Sequence, residues 1–484
     1  MADTQRNQSR WQIPFFTIWT GQAFSLVGSR VLEFAVIWWL TRLTGSATVL
    51  AMATLTFVLP QVFLSPFAGA LVDRWNRRVV MVVADGTVAL VALGLAYLFW
   101  AGKIQVWHVF VALLVRAIGG NFHWPAMQAS TSLMVPDRHL TRVAGLNQTM
   151  QGALNVIGPP LGAMLLAVLP FQGIMLMDVG TALFAILPLF FVRIPQPRQA
   201  LVEPGDGREG EIPRFARNDK PGDGREGEIP RCARNDKPGD GRVGEIPRCA
   251  RNDRGKPSLW SDVRQGLRYV WGWPGLLAIM IMATILNFVI NPAFSLMPLL
   301  VTDHFKGGAL QLGWLESAWG VGLVVGGLVL STWGGFRRRV YTSLTGLVVQ
   351  GVGIMLLGLT PANALWLAVA AMFLAGAMNA LVNGPLFAVL QGSVAPEMQG
   401  RVFTVVMSMS AAAWPLSLAV AGPIADLVGV RPWYVVGGAV AVIMGLGAFF
   451  VPVIVNVEQN RNGAASVKAE TRVPVAVPVS VETD

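Results

Sequence analysis

The sequence predicts an all-α membrane protein with twelve transmembrane helices in two pseudo-repeated six-helix halves, and three observations carry that expectation. First, 54% of the 484 residues are apolar and only 13% are charged, about half the roughly 25% of charge that a soluble domain carries. Residues 194–258 alone hold 14 Lys/Arg and 12 Asp/Glu, so the remainder is poorer in charge still. Second, stretches such as Val79–Trp100 and Val435–Val455 are long enough, at about 1.5 Å per helical residue, to cross about 30 Å of hydrocarbon. Third, the chain repeats itself. Trp124–Val143 matches Gly384–Val402, with Pro125 and Pro136 spaced as are Pro385 and Pro396, and Arg77 and Arg78 recur 260 residues later as Arg337 and Arg338. Duplicated halves of this kind place a substrate site between repeats in many secondary transporters.

Hydropathy draws the first half, residues 1–193, as spans near 14–43, 47–71, 79–101, 106–128, 141–168 and 172–192. The first span contains Arg30 and Glu33 and has no small-residue cleavage site, so it reads as a retained helix and not a signal peptide. Within it Gln22, Ser25, Ser29 and Glu33 recur at helical spacing and draw a polar stripe toward the bundle interior. Asp85 falls in the third span, Arg116 in the fourth and Asp178 in the sixth, while Gln148, Gln151 and Asn155 lead into Gly158 and Pro159 of the fifth.

Residues 194–258 form a hydrophilic linker, and between 205 and 255 it holds three copies of a 17-residue unit such as GDGREGEIPRCARNDKP. With one Ile per copy and abundant Gly, Pro and balanced charge, it cannot bury enough apolar area to offset its ordering entropy and is expected to be disordered. Leu259–Trp273 is amphipathic, compatible with a helix on the inner surface or with an extension of the next span. The second half, 259–456, continues with spans near 274–301, 312–333, 340–360, 364–391, 401–426 and 432–455, followed by a tail at 457–484. Thr284, Asn287 and Asn291 stripe the seventh span, Glu316 lies in the eighth, and Asn379 and Asn383 lie in the tenth. Such amides either line an aqueous cavity or bond neighbouring helices.

A charge at mid-membrane costs about 2.5 to 3.5 kcal/mol, so each must pair, reach water or serve a function. At about 1.5 Å per residue, Asp85, Asp178 and Glu316 lie within roughly 7–10 Å of a span end and within reach of water. Glu33 and Arg116 lie about 16 Å below the outer surface, at one level on different helices. Arg30, three residues from Glu33, offers a local partner. Two readings stand side by side: a structural Arg30–Glu33 pair, or a Glu33 that exchanges protons while an arginine biases its proton affinity.

The net charge of +10 is a matter of topology. With the N-terminus inside, eleven arginines fall at cytoplasmic ends and short loops, against four basic residues outside, which is the positive-inside bias and no mark of a nucleic-acid partner. Cys232 and Cys249 lie in the cytoplasmic linker, where a disulfide is not expected. No Cys/His cluster suits a metal, no G-x-x-x-x-G-K-[ST] loop suits ATP, and no nucleophile–base set suggests an enzyme or a cofactor.

The loop GALVDRWNRR, Gly69 to Arg78, sets one acid, Asp73, among Arg74, Arg77 and Arg78. It resembles the signature loop of the major facilitator superfamily, Gly-x-x-x-Asp-Arg-x-x-Arg-Arg, between spans two and three. LVRAIGG, Leu114 to Gly120, resembles that family's fourth-span motif, and Gly158, Pro159 and Gly162 resemble the Gly-Pro-x-x-Gly motif of its antiporter branch. GQAFSLVGS, TGSATVLA and PEMQGRV resemble, more narrowly, the drug:proton antiporters that include macrolide efflux proteins and the enterobactin exporter. The second-half loop STWGGFRRR keeps the arginines and lacks the acid.

The resemblance implies alternating-access efflux of a hydrophobic or amphipathic small molecule, a drug such as a macrolide or a siderophore, in exchange for protons. It implies a monomer in a bacterial cell membrane with both termini cytoplasmic. It also implies a part for Arg116 in proton coupling, to which depth and spacing add Glu33 and Arg30 as candidates, and an inner latch at Asp73. A lysophospholipid transporter, an uptake symporter and a non-transporting receptor are the rival readings.

Overall fold

The computed structural model describes residues 11–72, 75–192, 267–268, 270–394 and 396–457. The linker with its repeats, Asp73 and Arg74, most of Leu259–Trp273 and the tail from 458 onward lie outside the described residues.

The first half contributes α1 (Gln12–Thr44), α2 (Ala47–Val72), α3 (Arg77–Trp100), α4 (Val106–Met134), α5 (Asp137–Val168) and α6 (Phe171–Phe191). The second contributes α7 (Pro274–Ser295), α8 (Ala309–Trp333), α9 (Arg339–Leu359), α10 (Leu365–Ser393), α11 (Pro396–Val428) and α12 (Arg431–Phe449). Among the described residues, 11 helices are long and apolar enough to cross a membrane, and α11 carries a shorter apolar stretch, Ala412–Val428. The chain is a multi-pass membrane protein of twelve-helix architecture.

The element ends follow local chemistry. Asn76 caps α3 by accepting from the amides of Arg78 and Val79, which satisfies donors that the first turn leaves open. Gly45 ends α1 with φ 57°, a left-handed position that glycine occupies without a Cβ penalty. The seventh span departs from the expected 274–301. Its helix stops at Ser295, and Met297–Leu299 and a π turn at Leu300–His304 follow. Pro298 has no N–H to give to the carbonyl four residues earlier, so the ladder breaks just ahead of it. Leu296, Leu299, Leu300 and Val301 are nonetheless buried, in a cluster that also takes Leu32 and Leu40 of α1 and Leu50 of α2. That cluster joins both halves at the end of the bundle away from the start of α1, the far end.

Two close approaches tie the second half together. A Cβ on Gly322 of α8 would run into the carbonyl of Phe373 on α10, and one on Gly376 of α10 into the carbonyl of Trp319 on α8. On α9 and α12, Gly351 and Gly438 pack against one another's backbone. Small residues at membrane-helix contacts let backbones approach and gain dispersion contacts, since lipid offers no hydrophobic drive between helices.

Candidate functional site

The polar stripe of α1 divides between two tasks. Gly21 and Gly28 let α1 lie directly on α6: a Cβ on Gly21 would sit 3.1 Å from the Phe184 carbonyl, and one on Gly28 would strike Thr181. This brings Ser29 to Asp178, to which its hydroxyl donates at 3.2 Å. Arg116 of α4 donates to the other carboxylate oxygen of Asp178 at 2.8 Å. Asp178 is fully buried. The depth count brought it within reach of water and set Arg116 level with Glu33; the structure pairs Arg116 with Asp178 inside the first half. Depth follows from counting residues, whereas facing depends on which helix lies alongside, and the glycines of α1 decide that.

A second buried acid is held the same way. Gln22 donates to Asp85 at 3.0 Å, and His123 Nε2 lies 3.3 Å from the other oxygen. Sequence reasoning passed over His123. The available signal was its spacing: it stands seven residues, two helical turns, beyond Arg116 on one face of α4. Ser25 is buried on α1 between Gln22 and Ser29.

Arg30 and Glu33 turn the other way. They pair at 3.3 Å, with side chains 44% and 38% exposed. Both line a cavity between the halves, about 1110 Å³ of empty space, together with Asn155 and Pro159 from α5 and Glu316 and Trp319 from α8. Its described lining residues hold two carboxylates, Glu33 and Glu316, and one cation, Arg30. Gly158 and Gly162 stand behind the pair: a Cβ on Gly158 would lie 3.4 Å from Arg30 Cβ, and one on Gly162 3.0 Å from the Phe34 ring. Gln151, one turn before Asn155, is half-buried and not part of the lining.

Pro159 and Pro160 have no N–H for the carbonyls of Asn155 and Val156. The second half bonds one and packs close to the other. Ser317 of α8 donates to the Val156 carbonyl at 3.1 Å, and Gly320 leaves room for Asn155, whose carbonyl would lie 3.2 Å from a Cβ there. A contact between the halves is thus built on backbone that the prolines expose.

Asn287 and Asn291 of α7 and Asn379 and Asn383 of α10 line a different compartment, partly open, with about 1010 Å³ of empty space and lining residues from the second half alone. Gln350 and Ser343 of α9 join them. Phe294 and Trp319 line both spaces, with ring centroids 4.5 Å apart at 68°.

Arg77 and Arg78 of the signature loop serve the first half. Arg77 donates to the Ala129 carbonyl and Arg78 to the Phe190 carbonyl, each at 2.7 Å, tying the start of α3 to α4 and α6. Gly69 lies in the last turn of α2, while Asp73 and Arg74 are outside the described residues. At the far end, Asp426 of α11 accepts from the amides of Ala47 and Thr48 at 2.6 and 3.0 Å and from the Ser46 hydroxyl at 3.0 Å. It caps α2 across the two halves, a carboxylate on a helix N-terminus.

Known proteins resemble the chain in sequence and in fold. Macrolide efflux protein A of Streptococcus pyogenes is 29% identical over 438 residues, covering 90% of this chain and 96% of the relative. Multidrug efflux pump Tap of Mycobacterium tuberculosis is 25% identical over 460 residues, covering 93% and 95%. Among solved structures, a bacterial homologue of the iron transporter ferroportin in an inward-facing state superposes with a TM-score of 0.61 at 13% identity, over 92% of this chain and 99% of that one; at that identity the likeness is one of fold. The family model described as Major Facilitator Superfamily matches residues 18–418 and again 276–477. Twelve helices, a repeat carried by both halves and a family model that spans them leave one assignment: the chain belongs to the Major Facilitator Superfamily.

Proposed function

We propose that the chain exports a hydrophobic, cationic small molecule, a drug such as a macrolide, across the cell membrane by alternating access and in exchange for protons. One observation carries the reading. Arg30, Glu33 and Glu316 share the cavity between the halves, and Arg30 can neutralise only one of the two carboxylates. The other carboxylate must hold a proton or a cation in a low-dielectric space. A proton and a cationic solute then compete for one charge, which is the elementary requirement of exchange. Arg116 acts in this scheme through Asp178, fixing α4 against α1 and α6, and not by direct contact with Glu33.

The sequence relatives support the solute class. The arginine asymmetry supports a cytoplasmic near end with both termini inside, and a far end that faces out. Asp73 and Arg74, with Gly69, Arg77 and Arg78, form the inner latch, and one chain forms the whole pathway as a monomer. The first and second halves act as the moving units, 1–193 and 259–456, joined by the 194–258 linker.

The test uses the full chain in proteoliposomes with an imposed proton gradient and erythromycin as the solute. Wild type is expected to accumulate erythromycin against its gradient. Glu33→Gln and Glu316→Gln, at equal membrane abundance, are expected to lower proton-driven accumulation at least tenfold while facilitated equilibration persists. Concentrative transport with unchanged pH dependence in both variants would overturn the exchange mechanism.

A further inference from the structure

The compartment lined by the second half differs in chemistry from the space between the halves. None of its described lining residues is charged. Its walls are apolar side chains such as Leu286 and Leu347, and its polar groups are amides, a hydroxyl and the Trp319 indole. Four of the amides come in two ladders. Asn291 donates to Asn287 Oδ1 at 3.2 Å, and Asn383 to Asn379 Oδ1 at 3.1 Å. Asn287 Nδ2 also donates to the Ala283 carbonyl at 2.9 Å and Asn383 Nδ2 to the Asn379 carbonyl at 3.1 Å, which leaves Asn379 Nδ2 and the side-chain oxygens of Asn291 and Asn383 without a bond among the described residues.

The third wall is the informative one. Ser343 and Gln350 stand seven residues apart on α9 and so on one helix face. Ser343 is 8% exposed and its buried hydroxyl oxygen has no hydrogen-bond partner. Gln350 is 4% exposed, lines the same space and makes no side-chain hydrogen bond among the described residues. A buried polar group without a partner carries a free-energy penalty of about 1–3 kcal/mol, which a bound partner removes. Ser343 is such a group; with the Gln350 amide on the same helix face and the two asparagine ladders lining the same space, it makes a set of neutral donors and acceptors suited to a neutral ligand.

We infer that this compartment is the subsite for the uncharged, hydrogen-bonding body of the exported solute, with Ser343 and Gln350 as its specificity-determining residues. The assignment rests on the exporter reading above and deepens it. A solute with a cationic amine and an oxygen-rich apolar ring lays its amine beside Glu33 and Glu316 and its ring among the amides. Phe294 and Trp319, which border both spaces, pack against the link between the two parts. A lipophilic cation with no hydrogen-bonding groups uses the charged space alone.

Two probes separate these parts. Erythromycin has an amine and a ring bearing hydroxyl and carbonyl groups; tetraphenylphosphonium has charge and apolar surface without a hydrogen-bonding group. Equilibrium binding of each is measured on the purified full chain for wild type, Ser343→Ala, Gln350→Leu and the double variant. The expected result is that erythromycin binding weakens severalfold in each single variant and at least tenfold in the double, while the tetraphenylphosphonium Kd stays within twofold. Gln350→Asn, which keeps the amide, is expected to recover part of the erythromycin affinity. Unchanged erythromycin binding in the double variant overturns the subsite, and so does an equal loss for both probes, which marks a structural role. Should the double variant fold poorly, Ser343→Ala alone carries the same comparison. Failure of wild type to bind either probe overturns the exporter reading, and the subsite with it.

Discussion

Val156 offers a carbonyl that its own helix cannot use, because Pro160 brings no N–H to it, and Ser317 of the opposite half fills the position. Removing the hydroxyl with Ser317→Ala should cost about 1 kcal/mol, seen as a lower melting temperature of the detergent-solubilised protein. In a Pro160→Ala background the helix regains its own donor, and the same substitution should then cost almost nothing. A full-sized Ser317→Ala effect in both backgrounds would show that Ser317 acts through something other than this bond. Residue chemistry of this kind was half-legible beforehand. Pro159 and Gly158 were visible as a bend and a close approach, and Glu33 as a charge needing a reason. The partners of Arg116 and Asp178 were not visible, because a single sequence orders residues along a helix and is silent on which helix lies alongside. Gln350 and Ser343 were passed over for a related reason: a lone amide or hydroxyl in an apolar span gains meaning only when the opposite wall is known.

At the scale of elements, apolar length translated well into helix ends. The span near 79–101 is α3, Arg77–Trp100, and the span near 172–192 is α6, Phe171–Phe191, since a charged or proline-bearing end leaves hydropathy little freedom. The seventh span did not translate, because the run from 274 to 301 stays apolar across Pro298 while its hydrogen-bond ladder does not. Helix contacts likewise follow from what a side chain lacks. Gly322→Ala on α8 sets a methyl against the Phe373 carbonyl, and overpacking of this kind typically costs about 1–3 kcal/mol. The expected outcome is a reduced yield of monodisperse protein on size exclusion. Gly327→Ala, five residues on with nothing within 4 Å of its Cβ, should leave the yield unchanged. Equal yields for the two variants would refute the tight α8–α10 contact.

For the molecule as a whole, the link between halves is expected to tolerate change better than the contacts between them. Deleting 17, 34 or 51 residues from 205–255 in repeat units should leave transport within about twofold, because closure entropy varies only slowly with length, about 0.6 kcal/mol per doubling. Loss of transport in a well-expressed deletion would make the repeats a docking element. The contact at Asp426 is different in kind. One carboxylate there gathers two backbone amides and a hydroxyl from the start of α2, and the far end cannot part until all three are released to water. If release of solute waits on that parting, Asp426 governs how often the protein completes a cycle and not how tightly it holds its cargo. Asp426→Ala should then raise the maximal export rate, or uncouple it from the proton gradient, with the half-saturating concentration nearly unchanged. A shifted half-saturation at constant maximal rate would place this carboxylate among the determinants of affinity instead. On that reading a pump with its barrier at the exit would be limited by the opening of a door, with a single acid on the last turn of one helix as the bolt.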